Sequence, residues 1–190
     1  MDRTCGRCGD RLGFEVRADA RYCSTRCRVA AHRAAKKLPK ALTSRPRWVR
    51  HRDKVPLTAD GKPASSTDQA TWTSYVDAAA SPAGDGLGFV LNGDGLACLD
   101  LDHALEDGQL VPWAAEVLAQ IPPTYVEVSP SGEGLHVWGT AKVHVFGKVR
   151  DGRNLEFYTN RRYLTVTGRR WADAPDTFAD LDPVYEELGL

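Results

Sequence analysis

The chain has 190 residues with 25 Lys/Arg and 25 Asp/Glu, a formal net charge of zero; that length allows one ordinary domain plus a small appendage, with a real hydrophobic core. A hydrophobic content of 42% at a mean hydropathy of −0.40, with no run near the roughly 20 apolar residues of a membrane span, excludes a membrane-spanning helix. The zero is a cancellation: residues 1–54 carry 16 Lys/Arg against 5 Asp/Glu, a net +11, and residues 55–190 carry 9 against 20, a net −11.

Four of the five cysteines stand at Cys5, Cys8, Cys23 and Cys27, and the start of the chain is basic rather than secretory in character. The expected location is the cytoplasm, where a disulfide framework is disfavoured. A spacing of C-x2-C, fourteen residues, then C-x3-C lets four thiolates converge on one zinc ion in a closed, structural site. So short a segment holds too little apolar surface to fold alone, and bound metal supplies the folding energy. His32 follows Cys27 by five residues and reads as a polar helix residue, because four cysteines already fill the shell. The helix is expected over residues 24–38, with Ser24 as N-cap and Pro39 beyond its end. Arg26, Arg28, Arg33, Lys36 and Lys37 make it basic, and the uncompensated +11 favours contact with nucleic-acid phosphates over a merely solvated face. Residues 1–38 thus form a zinc-binding basic module, residues 39–53 a basic linker, and residues 54–190 a second domain.

Beyond Lys54 the composition shifts to strands, turns and acids. Helical character runs from Trp72 to Ala80, with Asp68 near its start. Gly88 to Leu91 is a strand, Asn92-Gly93-Asp94-Gly95 a tight hairpin turn, and Leu96 to Asp102 the returning strand. Pro112 to Ile121 is a helix with proline near its start. Further strands are expected at 125–129, 134–139, 154–158 and 163–167, and an acidic closing helix at 175–188. The pattern is α+β with a mainly antiparallel sheet.

Three stretches could carry chemistry. In Leu99-Asp100-Leu101-Asp102 the two carboxylates share one strand face, about 7 Å apart at Cα, and repel unless a cation lies between them. Such a pair suits hard divalent ions in phosphoryl transfer, but it also suits solvated acids on an edge strand. Ser129-Pro130-Ser131-Gly132-Glu133-Gly134-Leu135-His136 offers a tight Ser/Gly turn able to hold phosphate oxygens, with a histidine next to it. Glu156, framed by apolar neighbours in Leu155-Glu156-Phe157-Tyr158, needs a cation if buried: a metal, or Arg162 in a structural ion pair.

Taken in order, these stretches resemble the catalytic domain of primase-polymerases of the archaeo-eukaryotic primase superfamily, particularly the short phage and plasmid type. Carrying the resemblance are Lys54-Val55-Pro56, Gly61-Lys62-Pro63-Ala64, Asp68, Trp72, Gly88 to Leu91, Asp100-Leu101-Asp102-His103, Ser129 to His136, Glu156-Phe157-Tyr158 and Arg162 to Gly168. It implies an antiparallel catalytic sheet related to the RNA-recognition fold, packed on a small α/β module. Asp100, Asp102 and Glu156 would hold two catalytic Mg²⁺ or Mn²⁺ ions, and His136 would contact the incoming nucleotide's phosphates. Ser129, Ser131 and Gly132 would line the phosphate site. Lys54, Lys62 and Arg162 match as nucleotide- or template-binding cations, with surface salt bridges as the plain alternative for the lysines. The implied activity is template-directed nucleotidyl transfer, a DNA primase/polymerase of phage or plasmid replication. Single-stranded DNA and nucleoside triphosphates are the implied partners, without membrane. Longer members continue into a helical domain and often a helicase, so a separately encoded helicase is a further expected partner.

Two alternatives stand beside it. One is a non-catalytic zinc-dependent nucleic-acid-binding or regulatory protein on a degenerate core, which retention of three acids and the histidine argues against. The other is a metal-dependent nuclease or phosphodiesterase, ranked last because no H-x-H or nucleophilic tyrosine motif accompanies the acids.

Overall fold

A computed structural model describes residues 3–5, 8–13, 16–17, 20–29, 38–143, 146–148 and 154–189. The chain divides into two units, Met1–Lys37 and Leu38–Leu190.

In the first unit, the Cys5–Cys8 segment doubles back on itself. Thr4 and Arg11 form an antiparallel bridge, Cys5 N donates to Asp10 O (2.8 Å), and Gly9 turns the chain at φ +76°. Ser24 caps a helical stretch over residues 25–29, its hydroxyl accepting from Cys27 N at 3.2 Å. The remainder of the expected helix, residues 30–37 with His32, lies outside the described residues.

The second unit is built on two sheets. A four-stranded sheet has the order β11 (Asn160–Val166), β3 (Gly86–Asn92), β1 (Trp48–Arg52), β2 (Val55–Leu57), antiparallel throughout. The larger sheet runs β12 (Ala179–Asp180), β8 (Leu135–Thr140), β4 (Leu96–Leu101), β10 (Leu155–Tyr158), β9 (Phe146–Lys148), with β7 (Val126–Val128) also paired to β8. Among the described residues, only the β12–β8 pairing is parallel. A separate two-stranded ribbon joins β5 (Leu105–Glu106) and β6 (Gln109–Leu110). The helices are short: α1 (Lys40–Thr43), α2 (Tyr75–Ala80), α3 (Pro112–Gln120) and α4 (Asp182–Glu187). The α+β class with antiparallel sheets is thus as expected.

Period-two alternation in the central strands explains both cores. Ala97, Leu99 and Leu101 of β4, Leu135 and Val137 of β8, and Leu155 and Phe157 of β10 pack against Ala114 and Val117 of α3 and Val184 of α4. The opposite residues, Leu96 and Cys98, Trp138, and Tyr158, pack against Trp48, Phe89, Leu91 and Leu164 of the smaller sheet. An edge-on contact of Phe89 with Trp138 joins the two sheets, and Phe89 also meets its register partner Trp48 edge-on within the smaller sheet.

Four expectations change. Residues 39–53 are no linker: they form α1 and the inner strand β1, with Leu42, Trp48 and Val49 fully buried. Charge had masked the short Trp48-Val49 apolar pair. The Asn92–Gly95 turn closes no hairpin, because β3 lies between β1 and β11 while β4 lies between β8 and β10. The turn instead ties the sheets, Asp94 pairing with Arg45 and Arg47 while Arg47 Nη1 also donates to Asn92. The helix expected from Trp72 to Ala80 covers only Tyr75–Ala80, capped by Ser74; a separate 3₁₀ turn, Gln69–Thr71, capped by Asp68, precedes Trp72, which is extended. Finally, the closing helix is confined to Asp182–Glu187, preceded by β12. Pro183 sits in its first turn, where a missing N–H costs nothing.

Candidate active site

The sheet's alternation turns polar one row on from its aromatic core. Cys98, Trp138 and Tyr158 are register partners, and two residues further lies a second row across four strands. Glu127 of β7 opposes His136 of β8, His136 opposes Asp100 of β4, and Asp100 opposes Glu156 of β10. Register partners share a face, so four chemically active side chains stand together there. Asp102 follows one residue past β4, its backbone N donating to Asn154 O.

The middle of this row, Asp100 and His136, opens on a cavity of about 380 Å³, which Glu127 and Glu156 at its two ends do not line. One wall carries Asp100, Asp102, His136, Ser129 and Ser131; the other carries Lys54, Arg161, Arg162 and Tyr163, with Ser66 at the side. Acids therefore face cations across a space of small-ligand size. Lys54 is placed by the tight β1–β2 turn, and Arg161 by a bulge in the β11–β3 pairing between Asn160 and Arg162. The guanidinium of Arg162 lies 4.9 Å over the Tyr158 ring rather than beside Glu156 as an ion pair.

Burial is steep across the row. The Glu127 side chain is wholly buried, His136 is 4% exposed, Asp100 is 16% exposed, and Asp102 is exposed. His136 stands between carboxylates, Nε2 3.6 Å from Asp100 Oδ1 and Nδ1 3.5 Å from Glu127 Oε1. Burial, reinforced by the charges of Asp102 and Glu156, pushes the Asp100 carboxyl up to about 6 against the pull of His136. For His136, burial works against the imidazolium, but Glu127 and Asp100 outweigh it and raise the pKa. Asp100 Oδ1 is buried with no hydrogen-bond partner, which is costly for a carboxylate. A divalent cation relieves that state, so the donor set of Asp100, Asp102 and Glu156 fits such an ion by charge and chemistry.

Ser129 and Ser131 have different parts. Ser129 is buried, its hydroxyl accepting from Gly134 N at 3.1 Å, and it holds the loop closed. Ser131, 3.0 Å from it between hydroxyls, is exposed, and both serines line the cavity. Gly132 turns the loop at φ +88° and does not line the cavity. Lys62 also lies off the cavity, ion-paired with Asp60 at 2.7 Å where both are well exposed; it takes the surface-pair reading. Sequence reasoning missed Glu127, Arg161, Ser66 and Tyr163. For Glu127 a signal existed: Val126-Glu127-Val128 frames an acid with apolar residues just as Leu155-Glu156-Phe157 does.

In the first unit, Cys5, Cys8, Cys23 and Cys27 bring their sulfurs within 4.8 Å of one another. The Cys8–Cys23 and Cys23–Cys27 separations are 3.6 and 3.5 Å, far beyond a disulfide and near the ~3.8 Å edge of a tetrahedral zinc-thiolate site.

A sheet that lines up acids and a histidine opposite cations suits chemistry on a phosphate-bearing ligand. The family model of the bifunctional DNA primase/polymerase N-terminal domain matches residues 11–183. The chain belongs to this family of nucleotidyltransferases. Among curated proteins it is similar to the DNA primase-polymerase of Nitratiruptor phage NrS-1, with 40% identity over 147 residues. That match takes in 71% of this chain and 20% of the relative, so the chain spans about a fifth of the phage protein's length.

Proposed function

We propose that this chain performs template-directed nucleotidyl transfer on single-stranded DNA, as a primase/polymerase of phage or plasmid replication. The observation that carries the reading is that Asp100 and His136, register partners on adjacent strands, line one cavity with Asp102 and with Lys54, Arg161 and Arg162, while Glu156 pairs with Asp100 on the next strand. A nucleoside triphosphate suits that division, with phosphate oxygens against the cations and the metal-bearing edge against the acids. Asp100, Asp102 and Glu156 would hold two Mg²⁺ or Mn²⁺ ions, which supply charge neutralisation and a more acidic attacking hydroxyl. His136 donates from Nε2 to a phosphate oxygen, and Ser131 adds a hydroxyl contact. Lys54 and Arg162 orient the triphosphate so that the 3′-hydroxyl attacks the α-phosphorus and pyrophosphate leaves. The catalytic sheet is read as RNA-recognition-like, the four-cysteine unit as a one-zinc module that grips template phosphates, and a replicative helicase as the further partner. The setting is read as cytoplasmic. Among the described residues no helix is long and apolar enough to cross a membrane.

The test is nucleotide incorporation on single-stranded DNA with Mg²⁺ or Mn²⁺, with and without a primer. Asp100→Ala is expected to abolish incorporation while leaving DNA binding nearly unchanged. Failure of the intact chain to incorporate under any of these conditions, helicase included, rejects the enzymatic reading.

A further inference from the structure

The segment after β2 reaches across the smaller sheet, and the nucleotidyl-transfer reading gives it no part. That sheet runs β11-β3-β1-β2, so β2 and β11 are its two edges. Residues 63–72 start out fastened to the β2 edge: Pro63 forms a bridge with Leu57, and Ala64 N donates to Pro56 O at 3.1 Å. The segment then closes on itself. Ser65 N donates to Thr71 Oγ1 at 3.0 Å, Trp72 Nε1 donates to Ser65 O at 2.6 Å, and Asp68 caps the 3₁₀ turn between them. From this closed loop the Ser66 hydroxyl crosses to the opposite edge, donating to Arg161 O at 2.9 Å over a sequence separation of 95. Arg161 sits in a costly conformation. It is the extra residue of the bulge between Asn160 and Arg162, at φ +54°, a left-handed geometry that a residue other than glycine keeps only where its surroundings fix it. Bulges re-aim a side chain beside a site, and Arg161 and Ser66 line the cavity together.

We infer that Ser66 is a positioning residue: it pins the backbone of the Arg161 bulge, so that the Arg161 guanidinium is held at the cavity as a ligand for the triphosphate of the incoming nucleotide. The Ser66 proton is spent on the carbonyl, and the internal bonds of the loop hold the hydroxyl where that carbonyl meets it. A cation placed in this way loses little freedom when the phosphates arrive, and that saving appears as affinity. Arg161 is the agent and Ser66 acts through it. For the identity of the ligand this rests on the nucleotidyl-transfer reading.

The test is a double-mutant cycle in the full chain, with Ser66→Ala, Arg161→Gln and the two combined. Each is read as KM and kcat for incorporation, and as affinity for a nucleoside triphosphate with Mg²⁺ by titration calorimetry. Ser66→Ala is expected to raise KM and weaken affinity about three- to tenfold while kcat changes less than about twofold. Ser66 is half-buried, so its truncation opens no core and the melting temperature should stay within about 2 °C of wild type. Ser66→Thr keeps the hydroxyl and is expected to behave like wild type. In the Arg161→Gln background, removing the Ser66 hydroxyl is expected to have no further effect, because no guanidinium is left to position. Full additivity overturns the inference, since Ser66 would then touch the ligand itself or act elsewhere. So does an unchanged KM and affinity in Ser66→Ala. If the wild type binds the triphosphate but incorporates nothing, the nucleotidyl-transfer reading falls, and the cycle read by affinity still judges Ser66. If it neither binds nor incorporates, both fall.

Discussion

Asp100 shows what a site residue costs the fold. Its carboxyl moves from the usual 3.8 up to about 6, chiefly through burial, with Asp102 and Glu156 adding to the rise. A raised acid contributes stability that is full below about pH 4 and is lost as pH climbs through about 6, amounting to about 3 kcal/mol. His136 is raised too, so its contribution likewise falls as pH increases. Without added divalent ion, Asp100→Asn should therefore flatten the pH dependence of the melting temperature between about pH 4 and 7, and melt higher than wild type at pH 7. Added Mg²⁺ or Mn²⁺ should stabilise the wild type at pH 7 and have little effect on the variant. Equal pH slopes for the two proteins would contradict the placement of charge described above. The same competition makes ion binding tighten as pH rises through 6, because the proton and the cation contend for one carboxylate.

Among elements, the β1–β2 turn matters most to the site. Asp53 and Lys54 occupy it at φ +48° and +63°, a left-handed pair that glycine or asparagine would adopt at lower cost. Lys54 keeps its place because its carbonyl accepts from Tyr163 Oη, and Tyr163 in turn lies over Gly88. A Cβ at Gly88 would come within 2.6 Å of the Tyr163 ring and 3.0 Å of Val49 Cγ2. Gly88→Ala should thus destabilise the chain by about 1–3 kcal/mol and weaken nucleotide binding together, since the displaced ring releases the turn. Tyr163→Phe separates the effects: nucleotide KM rises while the melting temperature changes little, read by steady-state kinetics and calorimetry. Lys54→Gly should relieve backbone strain and yet bind nucleotide more weakly. If Lys54→Gly binds nucleotide like wild type, the lysine is only a turn residue.

For the whole molecule, the charge asymmetry divides differently once the units are known. Residues 1–37 hold 10 Lys/Arg and 4 Asp/Glu, a net +6, rather than +11. Much of the rest serves the second unit: Arg47 is buried and paired with Asp94, Arg45 shares that acid, and Arg50 donates to Ala83 O. Arg45 and Arg47 are committed to the turn between the sheets, and Arg50 to the segment that leads into β3. Phosphate contact by the first unit then predicts a salt-dependent affinity for single-stranded DNA that weakens when zinc is removed. Metal analysis should give one zinc per chain. Chelation should strip hydrogen-exchange protection from residues 1–37 while residues 38–190 keep theirs, because only the first unit relies on metal in place of a core. Loss of protection throughout would show that the two units fold as one.

Motif chemistry was legible in the residues themselves. Four cysteines at metal-ligand spacing, an Asp-x-Asp strand, a Ser/Gly turn with its histidine, and an acid between apolar neighbours each pair a residue type with a local backbone geometry, and local geometry follows from near neighbours in sequence. Alternation along Leu96 to Leu101 likewise placed Asp100 on one face without knowledge of a partner strand. Pairing was not legible, because it depends on contacts distant in sequence. The Asn92–Gly95 turn carries every hairpin residue, yet β1 and β11 occupy both edges of β3, so the chain crosses to the other sheet. Trp48 and Val49 are two apolar residues amid arginines, both fully buried once the sheets form, Trp48 against Phe89 and Tyr75. Glu127 has no motif, and only β7 pairing with β8 brings it behind His136. Sequence alone determined the residue types and local geometry of the candidates for metal and phosphate; tertiary structure decided which of them, with Arg161, Ser66 and Tyr163 added, face one cavity, because register across strands sets that choice.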